Sequence, residues 1–137
     1  MFNKGIKAYN DVGVTTAVST ANPVQLIVLL YDGAMTAVAM AKGEIERQNI
    51  QEKSKLIIKA LAIIEGLRTA IDHKNGGEIA TNLNDLYLYM SLQLTNANLK
   101  NDQEKLDEVL HLLGELRASW EVLANNQGTE VPMAAHF

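Results

Sequence analysis

Cysteine is absent from this chain, which excludes disulfides, thiolate metal sites and cysteine nucleophiles, and makes a reducing compartment compatible with it. Clustered positive charge is also missing. Twelve Lys and Arg stand against sixteen Asp and Glu, a net charge of -4, and no group of them could neutralise a run of phosphates, so a nucleic-acid groove is excluded. Lys4 and Lys7 precede no apolar run of signal-peptide length before Pro23, so a cytoplasmic protein without membrane insertion is expected.

What the chain does have is a repeated helix-start signal. Asn-x-x-(Gln/Glu) occurs at Asn22 to Gln25, Asn49 to Glu52, Asn75 to Glu78 and Asn101 to Glu104, with starts 27, 26 and 26 residues apart. An Asn side chain at the cap accepts from an unpaired backbone N–H, and the Gln or Glu three residues on reaches back to the cap's own N–H. Pro23 strengthens the first signal, since proline at the first helical position loses no hydrogen bond. The spacing predicts four helices of about 20 residues, each about 30 Å long.

The 137 residues make one domain, and an apolar content of 47% suffices for one substantial core. Short polar links near 47–51, 73–77 and 99–102 favour antiparallel neighbours. The expected fold is all-α, an up-down-up-down four-helix bundle over residues 22–124. Residues 1–21, with Gly5, Gly13 and the β-branched stretch from Val14 to Thr20, are expected to form a mobile arm carrying Phe2, Ile6 and Tyr9 on one face. Residues 125–137, with Gly128 and Pro132, show no packing period and are expected to be a disordered tail.

Helical phase assigns the faces. In the last helix Leu106, Val109, Leu110, Leu113, Leu116, Trp120 and Leu123 share one side. In the second, Ile57, Ala60, Leu61, Ile64, Leu67 and Ile71 form the stripe, with Ile58 and Ile63 beyond it. Between Val24 and Ala41 the clearly polar residues of the first helix, Gln25, Asp32 and Thr36, line one narrow strip. The third helix has a core stripe of Ile79, Leu83, Leu86, Tyr87, Met90, Leu94 and Ala97, and a second stripe of Leu88, Leu92 and Leu99 opposite. A bundle alone does not need that second stripe. Irregular packing, a covering arm or a homodimer would use it, and so would a groove for an apolar partner helix. Periodicity does not choose among them.

Candidate chemistry is sparse. Glu108-x-x-His111 matches the helical motif of di-metal bundles, but that chemistry needs two such motifs and further inward glutamates, and both residues fall on the solvent side. His73 sits beside a helix end and His136 in the tail. Gly76-Gly77 lacks the preceding strand and the lysine-plus-hydroxyl pattern of a phosphate loop, and reads as a turn between helices. Glu44/Glu46 and Asp107/Glu108 read as solvated faces. No metal, cofactor or catalytic residue is expected. A di-metal enzyme on a helical bundle and a structural homodimer are the competing classes.

Several segments resemble one family. Leu30-Tyr31-Asp32-Gly33-Ala34 behind a capped proline, then Gly76-Gly77-Glu78-Ile79-Ala80, Asn82-Leu83, Leu86-Tyr87-x-Tyr89-Met90 and Ala97-Asn98-Leu99, are similar to the flagellin-specific export chaperone family FliS. The last helix fits as well, with Leu106, Glu108-Val109, Leu112-Leu113 and Leu116-Arg117 before Trp120. Each match is short, but their order holds from about Tyr9 to Trp120. The family commonly has Ser or Thr where Asn22 stands, which keeps the capping oxygen.

The resemblance implies a cytoplasmic helical chaperone, not an enzyme. Its partners would be the disordered C-terminal segment of flagellin, which forms helices as it wraps the apolar surface, and the flagellar type III export apparatus. Premature filament formation is thereby blocked. It also implies that the N-terminal arm, including the position of Tyr9, covers part of the binding surface and moves aside. The residues expected to meet the partner are Ile6 and Tyr9 on the arm and Leu88, Tyr89, Leu92 and Leu99 on the third helix.

Overall fold

A computed structural model of the protein describes residues 22–125. The arm predicted for 1–21, with Ile6 and Tyr9, and the tail beyond Asn125 lie outside the described residues. Four helices follow one another: α1 (Pro23–Glu46), α2 (Ile50–Thr69), α3 (His73–Lys100) and α4 (Gln103–Asn125). No strand occurs among the described residues. The last helix reaches one residue into the predicted tail.

α1 packs against α2 and α4, and α3 closes the ring against the same two helices. α1 and α3 are therefore diagonal. Cross-links show the antiparallel sense, for Asp32 and Lys42 on α1 pair with Arg117 and Asp107 on α4 in reversed order. Lys53 and Arg68 on α2 likewise bond Asn98 and Asn84 on α3. The expected up-down-up-down order is the one observed.

Of the four predicted caps, one acts as read. Asn22 accepts from the Gln25 N–H at 2.8 Å while Gln25 accepts from the Asn22 N–H at 3.4 Å, with Pro23 just inside. Asn49 stands at the cap of α2, but its side chain makes no capping bond and donates to Glu44 at 3.2 Å instead. Before α3 the cap is Asp72, accepting from the Asn75 N–H at 3.2 Å, so Asn75 is a donor there. Asn101 ends α3 in the left-handed region (φ 52, ψ 44), and the cap of α4 is its neighbour Asp102, which accepts from Glu104 at 3.0 Å and Lys105 at 3.3 Å. A tight link needs one residue to leave the first helix and another to start the next. Asn tolerates the left-handed exit, and Asp is as good a cap as Asn.

α3 carries a break. Gly77 has φ 56 and ψ -133 inside it, a conformation that a side chain would strain. After the break the first side chain to face inward is Ala80, so Ile79 is exposed, contrary to the core position expected for it.

The core contains Leu30, Tyr31, Ile57, Ile64, Met90, Leu94, Leu106 and Leu113, all fully buried. Ile63 belongs to it too, correcting its expected place beyond the stripe, whereas Ile58 does lie outside. α1 packs against its two neighbours more extensively than α3 does, which explains why its polar strip is narrow. By length and composition that helix could cross a membrane, yet half of its apolar stretch is buried inside the bundle, as befits a core helix.

Candidate functional site

The outward face of α3 carries an apolar strip. Leu88, Leu92 and Leu99 are exposed, the last two by 57% and 76%, while Tyr87, Met90, Leu94 and Ala97 point into the core. The phase of the helix thus separates the two stripes as expected from the sequence. On the adjoining helix Ile58 is exposed as well. It lies one turn beyond Ser54, whose hydroxyl bonds Asn98 on α3.

Polar bonds between α2 and α3 frame this strip at both ends. At one, the Arg68 guanidinium donates to Asn84 at 3.3 Å and is held by Glu65 through bonds of 2.6 and 3.0 Å. At the other, Ser54 donates to the Asn98 side chain at 3.1 Å, and the Lys53 ammonium donates to the Asn98 carbonyl at 2.7 Å. From Ser54 to Arg68 the helix rises about 20 Å, room for about four turns of a docked helix.

Among the described residues Lys53 is the charged side chain in the core, 2% exposed. Burial pushes its ammonium pKa below the ordinary lysine value. Sequence reasoning passed it over, although a signal existed. Lys53 precedes Ile57 by four residues and so falls in phase with the apolar stripe of α2, a position a solvated lysine would not take.

Tyr89 does not join the leucine strip. It lies on the α4 side of α3, where its hydroxyl donates to Glu108 at 2.7 Å, and Gln93 donates to the other oxygen of Glu108 at 2.7 Å. These two bonds hold the Glu108 carboxyl below its usual pKa. His111 pairs instead with Glu115 at 2.5 Å, so the two residues of the Glu-x-x-His motif serve different neighbours. Among the described residues no group of three His, Asp or Glu side chains could hold a metal ion.

Beneath the strip, Tyr87 anchors α3 to the far side of the bundle. Its hydroxyl lies 2.5 Å from that of Tyr31, and Trp120 hydrogen-bonds Tyr31 in turn. Desolvation raises both phenols, that of Tyr31 to about 12. Arg117 joins Asp32 on α1 to Glu121 one turn on in α4. These groups are engaged with each other, and their chemistry is that of a scaffold.

An all-helical bundle with an outward apolar strip framed by polar bonds belongs to the class of four-helix bundles that leave a helix-sized apolar surface uncovered. The family described as "Flagellar protein FliS" matches residues 5–127. The chain is 46% identical over 122 residues to the flagellar secretion chaperone FliSB of Pseudomonas aeruginosa, covering 89% of this chain and 97% of that one. Against the flagellar secretion chaperone FliS of Salmonella typhimurium it is 43% identical over 121 residues, covering 88% and 90%. Against that of Bacillus subtilis it is 31% identical, with 77% of each chain covered. The chain belongs to the FliS family, a family of flagellar secretion chaperones and not of enzymes.

Proposed function

We propose that this protein is a cytoplasmic export chaperone that binds the C-terminal segment of flagellin, prevents its premature polymerisation and keeps it ready for the flagellar export apparatus. The observation that carries this reading is the outward apolar strip of Leu88, Leu92 and Leu99 on a helix whose other face is fully packed. A bundle gains nothing from that strip alone, whereas a segment that folds on binding can lay the apolar side of a helix along it. Tyr89 would contribute its exposed ring from the α4 side, its hydroxyl being already bonded to Glu108.

A peptide of the flagellin C-terminal segment should bind with a negative heat-capacity change and gain helix in circular dichroism. No heat and no helix gain at tens of micromolar would refute the reading. Sedimentation tests the homodimer at the same time, because a dimer closed over α3 would dissociate or refuse the peptide. Ile6 and Tyr9 are assigned to a cap that competes for this surface. Deleting residues 1–10 should then tighten binding by the inverse of the fraction of time the cap is open, and deletion that unfolds the chain would place the arm in the core instead.

A further inference from the structure

Lys53 and the end of α3 form a device that the fold alone does not require. Asn98 is among the last residues of α3, whose final carbonyls lack helical donors. The N–H that would ordinarily serve Asn98 is that of Asp102, four residues on. Here it turns back to the Ala97 carbonyl at 3.1 Å, and Asn101, in its left-handed conformation, donates to the same oxygen. The Asn98 carbonyl is thereby left over, and Lys53 fills it from the neighbouring helix at 2.7 Å. A cation at a helix C-terminus also meets the negative end of the helix dipole, and its bond is charge-assisted. Ser54, the next residue of α2, holds the side chain of the same Asn98. Two consecutive residues of α2 therefore grip the backbone and the side chain of a single residue of α3, beside Leu99, the most exposed large apolar residue among the described residues.

We propose that Lys53 is a positioning residue for the partner-binding strip: from α2 it caps the C-terminus of α3 and so sets where Leu99 and Leu92 stand for a docked helix. This rests on the strip being the flagellin site. Lys53 itself is buried and touches no partner. Its effect is transmitted through Asn98.

The test compares full-length Lys53→Met, which keeps an apolar stem of similar length, with Lys55→Met, whose lysine is exposed and pairs with Glu52 at 3.5 Å. Amide hydrogen exchange and calorimetry with a synthetic flagellin C-terminal peptide are the two readouts. In Lys53→Met the amides of Asn101 and Asp102 should lose about tenfold in protection while those of α1 keep theirs, and peptide affinity should fall about tenfold. Lys55→Met should match the wild type in both. If Lys53→Met does not fold, Ser54→Ala, which removes the other strut, should show the same local loosening with about a threefold loss of affinity. Unchanged or uniformly reduced protection, or wild-type affinity despite a loosened α3 end, would overturn the proposal. A wild-type chain that binds no peptide would overturn the proposed function instead, and the exchange pattern alone would then decide whether Lys53 sets the end of α3.

Discussion

The hydroxyl of Tyr31 on α1 meets that of Tyr87 on α3 at 2.5 Å, across the diagonal of the bundle where the two helices are not packed as neighbours. Tyr31 has a second partner in Trp120, whereas Tyr31 is the partner found for Tyr87 among the described residues. Tyr31→Phe should therefore cost more than Tyr87→Phe, about 1–3 kcal/mol, because it leaves a buried hydroxyl without a bond. The double variant should cost less than the sum. Urea denaturation of the three variants measures this, and strict additivity would show the two hydroxyls to be uncoupled.

The same pair governs alkaline stability. In the unfolded chain the Tyr31 phenol ionises at its ordinary value of 10.0, while in the fold burial keeps it neutral up to about 12. Above pH 10 the unfolded state thus binds fewer protons than the folded state, and stability falls as pH rises. Tyr31 alone contributes about 3 kcal/mol that is fully present below pH 10 and gone by pH 12. Lys53 acts with the opposite sign at lower pH. Its folded pKa is depressed below 10.5, so its contribution grows as pH rises toward that value. Stability should climb gently toward pH 10 and then drop steeply. Tyr31→Phe should blunt the drop, and an unchanged alkaline limb would contradict this assignment.

Leu92 and Leu94 sit two residues apart on opposite faces of α3, one 57% exposed and the other fully buried. Leu94→Asp should destabilise the bundle by several kcal/mol, since it places an unpaired charge in the core. Leu92→Asp should leave the melting temperature within a few degrees of wild type and weaken peptide binding at least tenfold, provided the strip is the binding surface. Thermal melts and calorimetry separate the two effects. Equal melting behaviour would contradict the face assignment.

Glycines at 77 and 114 should respond in opposite ways to alanine. At Gly77 nothing crowds a new Cβ, but its positive φ is strained for any side chain, so Gly77→Ala should cost about 1–3 kcal/mol. At Gly114, within α4, a Cβ would meet Met35 Cε at 3.6 Å, an ordinary contact, so Gly114→Ala should be neutral or stabilise by up to about 1 kcal/mol. Denaturation midpoints of the two variants decide this.

The sequence by itself determined the elements and most of their faces, Ile63 and Ile79 being the exceptions. Apolar period and polar links were enough to call for four antiparallel helices, and the same period put Leu88, Leu92 and Leu99 opposite Met90 and Leu94, because helical phase is a local property of the chain. Local chemistry was less decisive at the links. Asn49, Asn75 and Asn101 all carry capping potential, and which residue caps depends on how the preceding helix ends, as Asp72 and Asp102 show. Only the tertiary structure decided what depends on neighbours remote in sequence. It turned Tyr89 toward Glu108 and away from the leucine strip, and gave the buried Lys53 an acceptor 45 residues away. A side chain's phase says which way it points from its own helix; the crossing of two helices says what it meets there, and that is settled only when the bundle closes.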